Sequence, residues 1–437
     1  MNRKMMNIGK NMLLVLLSLI MALLTVLIWV RSLSWEDIPV ESGIGQLYLR
    51  MAYGSASVFG LRTEDAPAAY PMEIAVRTDG KMYGAQNDTS GVDALQEQFQ
   101  EQIHAALNIS VQDLRPAEES EYREILKGDC IYFRYEHALP LDLLFLWHGD
   151  SSVHVSDVSA KSVLISSDDS VWIRDEKNDL YVYETEIDSK DWKDQLGDSI
   201  FQPCAFLQNK FANNLMPETL IFENRRQEYA VVEMSEPDYL DSSGTHNLQI
   251  VLEAFEYNTS VGNYMDNSTR VFVNNNSTLR IGPNGKILFH ATSMEGGMVA
   301  YQESEVTDDG EMPLRISTAK AVLEQIQKSY VTESEFFLQS VFRDPATERI
   351  QLRFRYSCNG IPIVGDSGAY AVVEFLENTM VSAEIHARSF ASLEEKQFLI
   401  PSEQFIAMAD SSDVNLLLGY FGDNNVFYPR RYFESVV

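Results

Sequence analysis

The sequence predicts an α+β protein, with one N-terminal transmembrane helix and a multi-domain ectodomain of helices packed on antiparallel sheets. Three observations lead there. Met12 to Val30 is an uncharged, almost wholly apolar run, close to the length that crosses the roughly 30 Å of a bilayer's hydrocarbon core. Beyond it, short alternating apolar–polar runs separated by turn residues read as strands of antiparallel sheets. Between them, apolar residues at helical spacing mark amphipathic helices. Twice the order is helix and then meander, a layered α+β pattern.

Arg3, Lys4 and Lys10 precede the apolar run, and no acid occurs before Glu36. Cations stay on the cytoplasmic side, so residues 1–11 are expected inside and everything after the 12–30 helix outside. The run exceeds a signal-peptide core and Arg31 sits in the would-be cleavage junction, which favours a retained anchor. A single-pass cell-membrane protein with an extracytoplasmic C-terminal portion is therefore expected. Residues 31–70 mix acids, Gly, Ala and Pro and read as a membrane-proximal linker.

Four of the 34 Lys+Arg lie before Glu36, which leaves the remainder near −34 against 64 Asp+Glu. Such a surface repels nucleic acid and anionic lipid headgroups. A hydrophobic fraction of 45% and 20 tyrosines argue for folded domains rather than a disordered stalk. Cys130, Cys204 and Cys358 are few, distant and odd in number, so buried free thiols are expected over a disulfide framework. Sequons at Asn87, Asn108, Asn258, Asn267 and Asn276 read mostly as turn chemistry.

A first α+β domain is placed at 71–226. It opens with a strand at Met72–Arg77. Val92, Leu95, Phe99, Ile103 and Leu107 share one face of a single helix spanning Val92 to Leu107. Tyr122–Lys127 is helical, Cys130–Tyr135 is a central strand, and Leu139–Trp147 is too short for a membrane and docks on the sheet. Strands follow at Ser162–Ser166, Ser170–Arg174 and Leu180–Glu184.

A middle helix-plus-meander domain is placed at 227–305. Leu248, Val251, Leu252 and Phe255 mark its helix, followed by strands at Arg270–Val273, Thr278–Ile281 and Lys286–Ala291. The last two meet at Pro283-Asn284-Gly285, a hairpin signal because Asn and Gly accept positive φ. The C-terminal domain, 306–437, repeats the pattern. A polar connector runs to Pro313, and Ser317 caps a helix with Ala319, Val322, Leu323, Ile326 and Tyr330 on its apolar face. Strands at Phe337–Phe342, Ile350–Tyr356, Ala371–Leu376 and Thr379–Arg388 complete the meander. A short helix from Ser402 and a Tyr-rich tail end the chain.

The search for chemistry yields no enzyme. Gly365-Asp366-Ser367-Gly368 matches the nucleophile loop of trypsin-like proteases, but no histidine lies in that family's base motif, so a hairpin loop is expected. No zinc-ligand spacing occurs. His137, His148 and His154 read as surface and interface histidines, and His386 as a solvated cross-strand position. Asp168-Asp169 and Glu394-Glu395 are adjacent acids and read as solvated turns, whereas catalytic pairs converge from separate elements. No cofactor is expected.

The order of parts resembles the YycH/YycI family of Gram-positive bacteria. The residues that carry the resemblance are the single anchor after a short basic tail, Asp129-Cys-Ile-Tyr-Phe-Arg-Tyr135 with Leu139-Pro-Leu-Asp-Leu143, and the Asn276–Leu288 hairpin. Phe354-Arg-Tyr-Ser-Cys-Asn-Gly-Ile-Pro-Ile363, Leu418-Gly-Tyr-Phe421 and Tyr428-Pro-Arg-Arg-Tyr432 complete them. Length and the extra first domain favour the YycH branch. The resemblance implies a membrane-anchored extracytoplasmic regulator that binds a sensor histidine kinase of cell-wall homeostasis, beside a second anchored protein of the YycI type. It transfers no active-site residue. Val15, Ser18, Ala22, Thr25 and Trp29 form one stripe on the anchor helix, and Ser18, Ala22 and Thr25 are small or polar enough to contact a partner helix. The alternatives are a PepSY-type ligand- or propeptide-binding module and a wall-acting hydrolase.

Overall fold

The computed structural model describes residues 69–435, apart from 108–113, 149–157, 186–191, 193–200, 210–214, 223–227, 241–244, 259, 301–310, 365–369, 409–413 and 424. These fall in one compact unit, Thr63–Val437. The 12–30 anchor, the 31–68 part of the linker and the Gly365–Gly368 tetrapeptide lie outside the described residues. Among the described residues, no helix is long and apolar enough to cross a membrane.

Two sheets organise the unit. One is nine-stranded and antiparallel, built from β1 (Glu73–Thr78), β2 (Lys81–Gln86), β3 (Arg115–Pro116), β4 (Cys130–Pro140), β5 (Ser159–Ser166), β6 (Ser170–Arg174), β7 (Leu180–Glu184), β8 (Gln202–Phe206) and β9 (Leu220–Phe222). Its order is β3-β7-β6-β5-β4-β1-β2-β8-β9. The apolar run at the start of β4 is buried on both sides, which is why it barely alternates. Ile131, Phe133 and Tyr135 face a core shared with α1 (Thr89–Gln98), α2 (Gln100–Leu107) and α4 (Leu141–His148). Cys130 and Tyr132 face the other way, towards Tyr122 of α3 (Glu119–Ile125) and Phe206 and Phe222 of the β8–β9 hairpin.

The single helix expected over Val92–Leu107 is instead α1 and α2, parted at Phe99 (φ −109°, ψ 17°). All five apolar positions are still buried, because the Phe99 amide bonds to the Leu95 carbonyl and the Ile103 amide to that of Phe99. Leu139 and Pro140 extend β4, and α4 docks on the core through Leu141, Leu144 and Phe145.

The second sheet has 14 strands. They are β10 (Glu228–Ser235), β11 (Asn263–Asp266), β12 (Thr269–Asn274), β13 (Ser277–Ile281), β14 (Lys286–Ala291), β15 (Met298–Val299), β16 (Ser334–Arg343), β17 (Arg349–Cys358), β18 (Ile361–Val364), β19 (Ala371–Leu376), β20 (Thr379–His386), β21 (Ser389–Phe398), β22 (Val414–Asp423) and β23 (Val426–Ser435). The order is β11-β12-β13-β14-β20-β19-β17-β18-β22-β23-β10-β21, with β15 added on β20 and β16 on β17. α5 (Thr245–Ala254) and α6 (Glu311–Gln327) belong to it, and α7 (Ser402–Ile406) precedes the last hairpin.

The middle and C-terminal helix-plus-meander segments thus share one sheet, because the last strand of each meander, β14 and β20, pairs antiparallel. Helix α6 begins at Glu311, six residues before the Ser317 expected to cap it. Pro313 is no obstacle there, since amides in a helix's opening turn have no partner within the helix. β2, β3, β8 to β11, β15, β18 and β21 to β23 were not expected, and the Tyr-rich tail is the β22–β23 hairpin, in register from Val414↔Ser435 to Asp423↔Val426.

Buried polar contacts join the sheets. Arg134 of β4 pairs with Glu73 at 2.9 Å and donates to the Leu416 carbonyl of β22. Glu136 of β4 pairs with Arg355 of β17, both buried. His137 lies 3.0 Å from the Gln339 amide nitrogen of β16.

Candidate interaction face

Eight neighbouring strands, β11-β12-β13-β14-β20-β19-β17-β16, form the meander part of the second sheet. Alternation along each strand sends every second residue to one face. Towards the helices runs the row Leu352, Val373, Ala383, Phe289, Leu279 and Phe272, each opposite the next. Phe289 stacks on Phe255 at the end of α5, with ring centroids 5.2 Å apart.

The opposite face carries two cross-strand rows. One is Ser340, Arg353, Val372, Glu384, Leu288, Arg280, Val271 and Tyr264. The other is Phe342, Gln351, Glu374, Ser382, His290, Thr278 and Val273. Most of these side chains are exposed or half-buried, and Tyr264, Val273 and Phe342 are 56%, 46% and 55% exposed.

Ion pairs lace this face: Arg280–Asp266 at 2.6 Å, Lys286–Glu384 at 2.9 Å and Arg349–Glu374 at 3.2 Å. Including Arg353, four cations meet three acids on a chain whose net charge is −30. The face is thus nearly neutral where the molecule as a whole is strongly acidic. Hydrogen bonds and charge from Lys286 and His386 hold the Glu384 carboxyl low, against a smaller effect of burial. The β4 strand of the other sheet already docks beside this face, where Glu136 meets Arg355. One end of the sheet therefore serves as an interface within the molecule.

Among the described residues, no group of acids, histidines and cysteines is arranged to hold a metal ion. His137 is an interface histidine, between Gln339 and Glu176 at 3.6 Å. His154 and the side chain of His148 lie outside the described residues. His386 lies 3.4 Å from Glu384 and opposite Lys286, a cross-strand position as expected. Asp169 sits in a turn with φ 57°. Glu394 and Glu395 are not a turn but part of strand β21, because that segment pairs with β10. The three cysteines are buried thiols, and no disulfide joins them. Val15, Ser18, Ala22, Thr25 and Trp29 lie outside the described residues.

The exposed aromatics of the face were missed from sequence. Tyr264 lies in a four-residue strand flanked by Asn and Gly, and Phe342 ends a strand taken as ordinary meander.

No protein-family model and no curated protein matches this sequence. Among solved structures, the crystal structure of YycH from Bacillus subtilis is similar, with 13% identity and a TM-score of 0.45 over 84% of this chain and 97% of that one. So loose a superposition transfers no residue correspondence.

Proposed function

We propose that this protein is a membrane-anchored extracytoplasmic regulator that works by binding, and that its target is a sensor histidine kinase of cell-wall homeostasis. The observation that carries the binding role is the open, charge-compensated sheet face ending in Tyr264 and Phe342. Flat faces with exposed aromatics and balanced charge suit protein contact better than solvation alone. The choice of a kinase rests on the sequence resemblance and on the apolar 12–30 segment, whose small and polar stripe suits helix–helix association in lipid.

The test is crosslinking of the full chain to the kinase in intact cells. Ser18→Leu, Ala22→Leu and Thr25→Leu together should reduce crosslinking, whereas Leu16→Phe, Ile20→Phe and Leu27→Phe on the opposite helix face should not. Each interhelical contact contributes only about 0.6–2 kcal/mol, so the triple change is needed. Equal crosslinking in both sets would move recognition to the outer domain. No crosslinking of the wild-type chain would remove the kinase as partner.

A further inference from the structure

Strand β11 ends the strand order of the second sheet, and no strand among the described residues pairs with its outer edge. The Val273 amide donates to the Gly262 carbonyl at 3.1 Å, and the register continues through Asn263↔Phe272, Tyr264↔Val271 and Met265↔Arg270 to Asp266↔Thr269. Bonded and non-bonded pairs alternate in an antiparallel ladder. Tyr264 and Asp266 therefore bond inward to β12, while Asn263 and Met265 turn their N–H and C=O groups outward.

Folded proteins usually blunt such an edge with lysine, proline or a covering element. This one instead carries Tyr264 and Met265, each 56% exposed, one on either face of the strand.

The local charge is opposite to that of the molecule. Between Glu256 and Glu295 stand Arg270, Arg280 and Lys286 against a single acid, Asp266, in a chain with 64 acids and 34 cations. Arg280 is held by Asp266 and Lys286 by Glu384. Arg270, cross-strand from Met265, donates to the Asn263 side-chain oxygen and lies over the Phe272 ring at 5.4 Å, and pairs with no carboxylate among the described residues.

We propose that β11 is a docking edge for an extended, acidic segment of another protein, which adds as a further strand of the sheet. Backbone pairing at Asn263 and Met265 would supply affinity, and the Arg270 guanidinium would take a carboxylate from the incoming strand. A second copy of the chain is a poorer occupant, because two such edges would bring Arg270 and Arg280 of each copy together. The reading holds whichever protein supplies the strand, and so stands apart from the kinase assignment.

Met265→Pro is the discriminating variant. It removes only an outward N–H, and proline is tolerated at such edge positions. The probes are a fluorescein-labelled peptide alternating Glu with Val and its Lys counterpart, titrated against the full chain in detergent micelles by anisotropy. The Glu peptide should bind at least about tenfold more tightly than the Lys peptide. Met265→Pro and Arg270→Glu should each weaken it by about tenfold or more, with circular dichroism and melting temperature unchanged for Met265→Pro. Val331→Lys, at a residue 93% exposed outside the meander strands, should change nothing. Equal binding of the two peptides, or binding that survives Met265→Pro, overturns the proposal. So does a dimer in sedimentation velocity that Met265→Pro abolishes, since the edge would then belong to a second copy.

Discussion

At Glu176, three neighbours outweigh the cost of partial burial. Burial opposes the charged carboxylate, but the His137 hydrogen bond, the Lys161 charge and the Ala138 amide bring its pKa from 4.5 down to about 2. A carboxyl depressed on folding adds stability above its unfolded pKa and loses it as pH falls through the folded value. Glu176 is half-exposed, so the effect is modest. Urea midpoints should therefore fall between about pH 5 and about pH 2, and Glu176→Gln should flatten part of that fall. An unchanged slope would show that the contact with His137 and Lys161 is idle in solution.

The thiols are decided at the same scale. Burial pushes Cys130 up to about 12 and Cys358 up to about 11, so neither is a thiolate near neutral pH. Iodoacetamide at about pH 8 should label the native protein only after denaturant is added, and reductant should leave the melting temperature unchanged. A drop on reduction would reveal a bridge. The sequence made this legible, since three cysteines so far apart and odd in number make a poor disulfide framework.

At the scale of elements, hairpins were read best where a turn dipeptide demands positive φ. Asn284-Gly285 adopts φ 62° and 68°. Asp79-Gly80, at 50° and 74°, obeys the same rule and closes β1 to β2, a hairpin the sequence reading missed. Gly285 has a second constraint, because an added Cβ would stand 2.3 Å from the Ala387 carbonyl oxygen. Gly285→Ala should cost about 2 kcal/mol or more in urea unfolding, with the fold retained. A cost near zero would mean that the β14–β20 junction can move aside. Elements without such a signal were lost: β22 and β23 pair with each other locally, but their outer neighbours, β18 and β10, lie far off in the chain, and no local pattern encodes those pairings.

For the whole molecule, the helix-plus-meander repeat was visible, but not that β14 and β20 would weld its two copies into one sheet. Nor could β4 be seen to reach β17, since Glu136 and Arg355 lie 219 residues apart. These junctions and a shared core predict that the Thr63–Val437 unit melts as one cooperative unit, with a calorimetric enthalpy equal to the van't Hoff value. Arg355→Met should lower stability by about 3–5 kcal/mol by taking the Arg355 charge away from buried Glu136, and Glu136→Leu with Arg355→Met should recover much of that loss. Two resolved transitions in the wild type would mean that the sheets unfold separately.

The placement of β23 between β22 and β10 carries a consequence for biogenesis. A ribosome delivers β10 long before β23, so one edge of β10 stays open until β23 has been made. During that interval the nascent chain offers a template for mispairing. Its large negative charge then acts as a safeguard, keeping neighbouring unfinished chains apart.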